Sequence, residues 1–271
     1  DLGGLISMNN DGFSLNNKTA LVTGATGYLG ESMCFALASF GAQVLVNGRD
    51  HIAVTSLVKR MKSKGYMASE MVFDVCSDKD IEEAFLKISG KPIHIIVNNA
   101  YSGSLGSHEL SSSDNHMQSY RSSVVACHSI FNSALDCLRY GVQQGGEASV
   151  INIASMYGMV SPDLRVYDSE SVASPPNYGA AKAGVLQLTR YLAVQYGPEN
   201  IRVNSLSPGP FPNPKSKINN KGFIGRLANK VPLGRIGKPD ELSGPLVFLS
   251  SPMSSFVNGS NLTVDGGWTA W

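Results

Sequence analysis

A chain of 271 residues, 42% hydrophobic and with a formal charge of +1, is long enough to bury one large α/β domain or two small ones. The near-neutral balance argues against nucleic acid or an anionic membrane as the main partner. No apolar run approaches the ~20 residues that span a bilayer, and no charged-then-apolar leader is present, so a cytoplasmic protein is expected. The cysteines (Cys34, Cys76, Cys127 and Cys137) form no C-x-x-C pair, and the histidines are scattered. Reduced, mostly buried cysteines and no metal site are the reading.

Residues 1–17 read as an N-terminal arm, native or appended, and residues 18–271 as one domain. The domain opens with a buried-strand pattern at 19–23, a glycine-rich turn at 24–30 and a helix over 31–40. A second strand at 43–47, a helix over 51–64, an extended run at 67–73 and a helix over 78–88 follow. A clear apolar run at 93–97 precedes one long helix over 114–140 and a strand at 149–154. The rest reads as a helix over 178–195, a strand at 201–205, a helix over 240–249 and a short strand at 262–264. Val- and Ile-rich strands separated by helices of this length predict a parallel sheet covered on both faces, three layers in all. Two stretches, 156–177 and 208 to about 230, read as long loops, the sort that become lids or binding loops.

Thr23-Gly24-Ala25-Thr26-Gly27-Tyr28-Leu29-Gly30 follows the first strand and opens the first helix. That is the setting of a dinucleotide-binding turn, in which glycines admit the pyrophosphate and the helix start supplies N–H donors. Asn47-Gly48-Arg49-Asp50 places no carboxylate at the tip of the second strand, and Arg49 is the first charge after it. NADP(H) is therefore expected in preference to NAD(H), with Arg49 on the 2′-phosphate. The alternative is a solvated Arg49 with Asp50 on the ribose.

A second constellation is Ser155, at the end of the apolar run 150–154, with Tyr178 and Lys182 on the helix that follows. Residues i and i+4 share one helix face, so the phenol and the ammonium can converge. A cation beside a phenol favours the phenolate and brings it within reach of proton transfer. Alone, the pair reads equally as a packed aromatic and a solvated charge.

Taken together these motifs resemble the short-chain dehydrogenase/reductase family over 18–271. The matching segments are the glycine turn, Asn98-Asn99-Ala100, Ser155 with Tyr178 and Lys182, and Val203-Asn204-Ser205-Leu206-Ser207-Pro208-Gly209. The tail Gly259-Ser260-Asn261-Leu262-Thr263-Val264-Asp265-Gly266-Gly267 is similar to the family's last strand. The resemblance implies a single Rossmann-type domain. It makes Tyr178 the general acid/base, Ser155 the anchor of the substrate oxygen, and Lys182 the group that lowers the Tyr178 pKa and binds the nicotinamide ribose. It implies cofactor contacts from Thr23, Gly24, Thr26, Gly27, Tyr28 and Leu29, and from Asp74, Val75, Asn98, Ala100, Pro208, Gly209 and Phe211.

The chain departs from the family in four places. Tyr28 stands where the compact branch has its middle glycine, a spacing that resembles the branch acting on nucleotide-linked sugars. The interval from Ser155 to Tyr178 is longer than usual. The family's helix asparagine should fall at Ser122 or Ser123, where a serine can still bend the helix by bonding back to the backbone. Pro210-Phe211-Pro212-Asn213-Pro214 replaces a common threonine, giving a stiff entry to a lid over 210–230.

The inserted loop 156–177 offers Arg165, Tyr167 and Asp168 to a hydroxylated and even anionic substrate, with Arg165 as a clamp for phosphate or carboxylate. The chain is also similar to oxidoreductases of bacterial surface-sugar and flagellin modification. The expected activity is interconversion of a secondary alcohol and a ketone on a small polar, sugar-like substrate. The alternatives are an epimerase or dehydratase that uses a tightly held cofactor transiently, and a non-catalytic cofactor sensor. The family resemblance implies a homotetramer or dimer built through the long helix and the Tyr178 helix.

Overall fold

The computed structural model describes residues 10–215 and 220–271. Strands β1 (Thr19–Val22), β2 (Gln43–Val46), β3 (Ala68–Glu70), β4 (Ile95–Asn98), β5 (Ala148–Ile153), β6 (Ile201–Pro208) and β7 (Asn261–Val264) form one parallel sheet in the order β3-β2-β1-β4-β5-β6-β7. Every residue of β4, β5 and β6 is buried. Both faces of the sheet are covered, which is why β4 and most of β5 read as apolar runs. The Rossmann-type, doubly wound expectation holds.

Helices α1 (Tyr28–Ser39), α2 (His51–Ser63) and α8 (Ser243–Ser250) bury Met33, Leu37, Leu57, Met61 and Leu249 on one face. On the other face α3 (Asp78–Leu86), α5 (Ala126–Gly145) and α6 (Pro176–Tyr196) contribute Ile81, Phe85, Phe131, Leu138 and Leu192. Because β1 pairs with both β2 and β4, the chain reverses its direction of travel across the sheet there, and a crevice opens beyond the strand ends. Among the described residues no helix is long and apolar enough to cross a membrane.

Three expectations need correction. The fold does not begin at residue 18: Leu15 is fully buried in the first core, and its N–H donates to the Phe40 carbonyl at 2.7 Å. Residues 1–9 lie outside the described residues. The long helix is two helices, α4 (Ser113–Tyr120) and α5, joined through a π turn over Arg121–Val125. The second long loop holds a helix, α7 (Lys221–Lys230), capped by Asn220; the lid's residues 216–219 lie outside the described residues.

Helix α5 runs against the start of β4, and a methyl group on Gly141 would lie 2.1 Å from the Ile93 carbonyl oxygen. Ala is the better helix former by about 1 kcal/mol, but contact with backbone cannot be relieved by a rotamer change. We expect Gly141→Ala to destabilise the fold by about 1–3 kcal/mol in urea unfolding. Gly244→Ala, with open space around its α-carbon, should sit at or above the parent. A Gly141→Ala protein as stable as the parent would show that α5 is free to move off the sheet.

Candidate active site

A cleft of about 460 Å³ lies beyond the ends of β1, β2 and β4. Of the expected cofactor residues, Gly24, Thr26, Gly27, Tyr28, Leu29, Arg49, Asp74, Val75 and Ala100 line it. Gly24 has a φ of 60°, and a Cβ there would sit 2.8 Å from the Ala100 α-carbon, so glycine is required on two counts. Helices α2 and α3 are capped by the side chains of Asp50 and Ser77, whereas Gly27 begins α1 with no side-chain cap. The first N–H groups of α1 therefore remain available to a phosphate at the cleft. These residues fit a nicotinamide dinucleotide.

Three further expected contacts belong to the framework around the sheet. Thr23 is buried, and its hydroxyl accepts from the N–H groups of Asn99 and Ala100 at 3.0 and 3.1 Å, tying the glycine turn to the end of β4. Asn98 spends its amide inside the sheet, donating to Asn152 at 2.8 Å, and Asn152 in turn donates to Thr189 on α6 at 2.9 Å. Pro208 is buried in β6 opposite Val264. Thr23 and Asn98 thus help to hold the sheet and the glycine turn together, while the Asn98 Oδ1 is buried without a partner. Gly209 and Phe211 line a neighbouring cavity rather than the cleft itself.

That second cavity, of about 360 Å³, contains Ser155 and Tyr178. Ser155 lies two residues past the end of β5 and caps the turn Met156–Gly158, its Oγ accepting from the Tyr157 N–H at 3.2 Å. The Tyr178 phenol lines the same cavity. Lys182, one turn along α6, is buried and donates to the Ile153 carbonyl at 2.7 Å, with Nζ 5.8 Å from the centre of the Tyr178 ring. Burial pushes the Tyr178 phenol up to about 12, while the Ser155 hydroxyl acts to lower it. Burial also brings the Lys182 amine down to about 8. The expected depression of the phenol by the ammonium is thus outweighed by desolvation in this state.

The inserted loop behaves differently from expectation. Tyr167 does line the cavity, its hydroxyl 3.2 Å from that of Tyr157 and its ring stacked at 5.5 Å on Phe223. Arg165 does not: its side chain is 88% exposed and lies bidentate on Asp163 at 2.9 and 2.8 Å. Two residues of separation put that carboxylate within easier reach than the cavity. Asp163 also pairs with Lys230, Asp168 pairs with Arg226, and Arg226 donates to the Val166 carbonyl at 2.7 Å. The charges read as substrate ligands instead latch the insert to α7. Below them Met156, Val166, Phe223, Leu227, Val231 and Trp268 form a small separate core.

Two contributors went unnoticed in the sequence. Tyr101 directly follows Asn98-Asn99-Ala100 and lines both cavities. Its ring meets Tyr178 edge-on at 5.0 Å, and its hydroxyl lies 3.0 Å from Ser119 Oγ, which also accepts from Asn177 Nδ2 at 2.6 Å. Asn99 holds the glycine turn, donating to the Thr23 and Gly24 carbonyls at 3.0 and 3.1 Å. The position of Tyr101 beside a recognised motif was the available signal. At the π turn, Ser122 donates to the Ser102 carbonyl at 2.8 Å and reaches the Ser119 carbonyl one turn back at 3.4 Å.

Comparison with known proteins agrees with this geometry. Residues 24–269 match the family model described as enoyl-(acyl carrier protein) reductase. A gluconate 5-dehydrogenase of Gluconobacter oxydans is 32% identical, the match covering 96% of this chain and 97% of that protein. A tropinone reductase homologue of Arabidopsis thaliana is 30% identical over 95% of this chain and 94% of its own length. Among solved structures, a gluconate 5-dehydrogenase from Burkholderia cenocepacia in complex with NADP and tartrate superimposes with a TM-score of 0.85 at 27% identity, covering 96% of this chain and 98% of that one. The chain belongs to the short-chain dehydrogenase/reductase family and is an NAD(P)-dependent oxidoreductase.

Proposed function

We propose that this oxidoreductase prefers NADP(H) and interconverts a secondary alcohol and a ketone on a small polar, sugar-like substrate. The observation that carries the reading is that Ser155 and Tyr178 line one cavity, which meets the cofactor cleft at Tyr101. A bound nicotinamide supplies or accepts the hydride. Ser155 holds the substrate oxygen, and Tyr178 gives that oxygen a proton in reduction and takes one back in oxidation. Lys182 keeps a positive charge behind the phenol and presents its ammonium to the cofactor side. The sugar-like substrate is supported by relatives named as gluconate and keto-gluconate enzymes.

The NADP(H) preference rests on the rim of the cleft. The Asp50 carboxylate is committed to the Ile52 and Ala53 N–H groups at 2.9 and 3.2 Å, so it caps α2 rather than offering itself to a ribose. Asn47 spends its amide on the Met71 and Phe73 carbonyls. Arg49 is left exposed at the cleft edge, 3.9 Å from Asp74. A relative's structure with bound NADP supports the same choice.

Tyr178→Phe should lower kcat by about 100-fold or more while leaving NADP(H) affinity within a few-fold, since only the proton donor is lost. Turnover near the parent level in that variant would rule out the phenol as acid/base. The parent should favour NADPH over NADH by about tenfold in kcat/KM, and Arg49→Ala should erase most of that margin. An equal or reversed preference in the parent overturns the cofactor assignment. In reduction, Tyr178 must carry its proton and Lys182 its charge. With the phenol at about 12 and the amine at about 8, Lys182 is the first to deprotonate as pH rises. kcat/KM for NADPH, which reports the free enzyme, should be flat below about pH 8 and fall above it. A profile still level at about pH 10 would remove Lys182 from this role.

A further inference from the structure

We infer that the substrate is uncharged: a neutral, ring-form hydroxylated ketone or alcohol rather than a sugar acid. This rests on the reading above and narrows it. The cavity beside Ser155 is walled by the rings of Tyr101, Tyr157, Tyr167, Phe211 and Phe223, and among its described lining residues there is no Asp, Glu, Lys, Arg or His. Three cations of the cap are paired with carboxylates. Arg165 and Lys230 both serve Asp163, and Arg226 serves Asp168. Lys182 does not line the cavity and donates to the Ile153 carbonyl.

An anion brought into this space would lose its water and gain no opposite charge from the described residues that line it. The walls report that penalty directly. The phenols of Tyr101, Tyr157, Tyr167 and Tyr178 all line the cavity, and burial pushes each above its ordinary value. A substrate carboxylate would meet the same desolvation that holds these phenols neutral. A neutral ring suits the site on both counts. Its C–H faces pack on the aromatic walls, and its hydroxyls find the Tyr157–Tyr167 pair, Ser104 and Ser174. The relatives named for gluconate, a carboxylate, therefore differ from this chain at the substrate rather than at the cofactor.

The test uses the full chain with NADP and matched pairs of methyl hexosides and the corresponding methyl hexuronides, which differ only in a carboxylate. We expect kcat/KM to favour the neutral glycosides by about tenfold or more, the equivalent of about 1.4 kcal/mol. Uronides turned over equally well or better overturn this inference and leave the sugar reading standing. If neither class reacts while a plain cyclic ketone is reduced with NADPH, both are overturned. Leu105→Arg, which sets a cation at the cavity wall, should raise the uronide-to-glycoside ratio of kcat/KM by about tenfold. An unchanged ratio contradicts the claim that a missing cation is what excludes acids.

Discussion

The hydrogen bond from the Lys182 ammonium to the Ile153 carbonyl is the contact from which the rest of the site follows. It joins α6 to the last residue of β5, two residues before Ser155, and so fixes the helix relative to the strand that delivers the serine. Tyr178, one helical turn earlier, is thereby held on the cavity that Ser155 lines. A charge this deep is costly, and its depressed pKa shows that the carbonyl does not fully replace lost water. The site tolerates that cost because α6 is anchored elsewhere, through Thr189 to Asn152 and through Asn177 to Ser119.

The same anchors explain how the two cavities communicate. Tyr101 stands where cleft and substrate cavity meet, pinned by Ser119 and stacked on Tyr178. The π turn over Arg121–Val125 lets α4 and α5 follow different courses, so α4 can present Ser119 to the site while α5 covers the sheet. Ser122, one of the two positions expected to match the family's helix asparagine, takes part by gripping the Ser102 backbone. A hydroxyl with a free rotor can satisfy both the N–H and the carbonyl of one residue, which makes it a workable clasp at this bend.

The cap over the substrate cavity is a small structure with its own logic. The insert after Ser155 is held to α7 by paired charges at its rim and by the cluster around Val166, Phe223 and Trp268 beneath. Exposed ion pairs contribute little energy individually, so the apolar cluster supplies most of the hold and the pairs set the alignment. Spending the charges in this way leaves an aromatic, uncharged interior.

The sequence by itself determined the layered parallel sheet, the place of the glycine turn and the Ser155–Tyr178–Lys182 set. Those depend on periodicity, on the φ that only glycine accepts at Gly24, and on i, i+4 spacing, all of which are local. It also led to Arg165 as a ligand and to a long lid loop after Pro208. Tertiary structure decided otherwise. Whether a charged side chain turns to a cavity or to a nearer carboxylate depends on partners distant in the chain, such as Lys230 for Asp163. The role of Tyr101 arises only where β4, α4 and α6 meet, a juxtaposition that long-range packing creates and no sequence window contains.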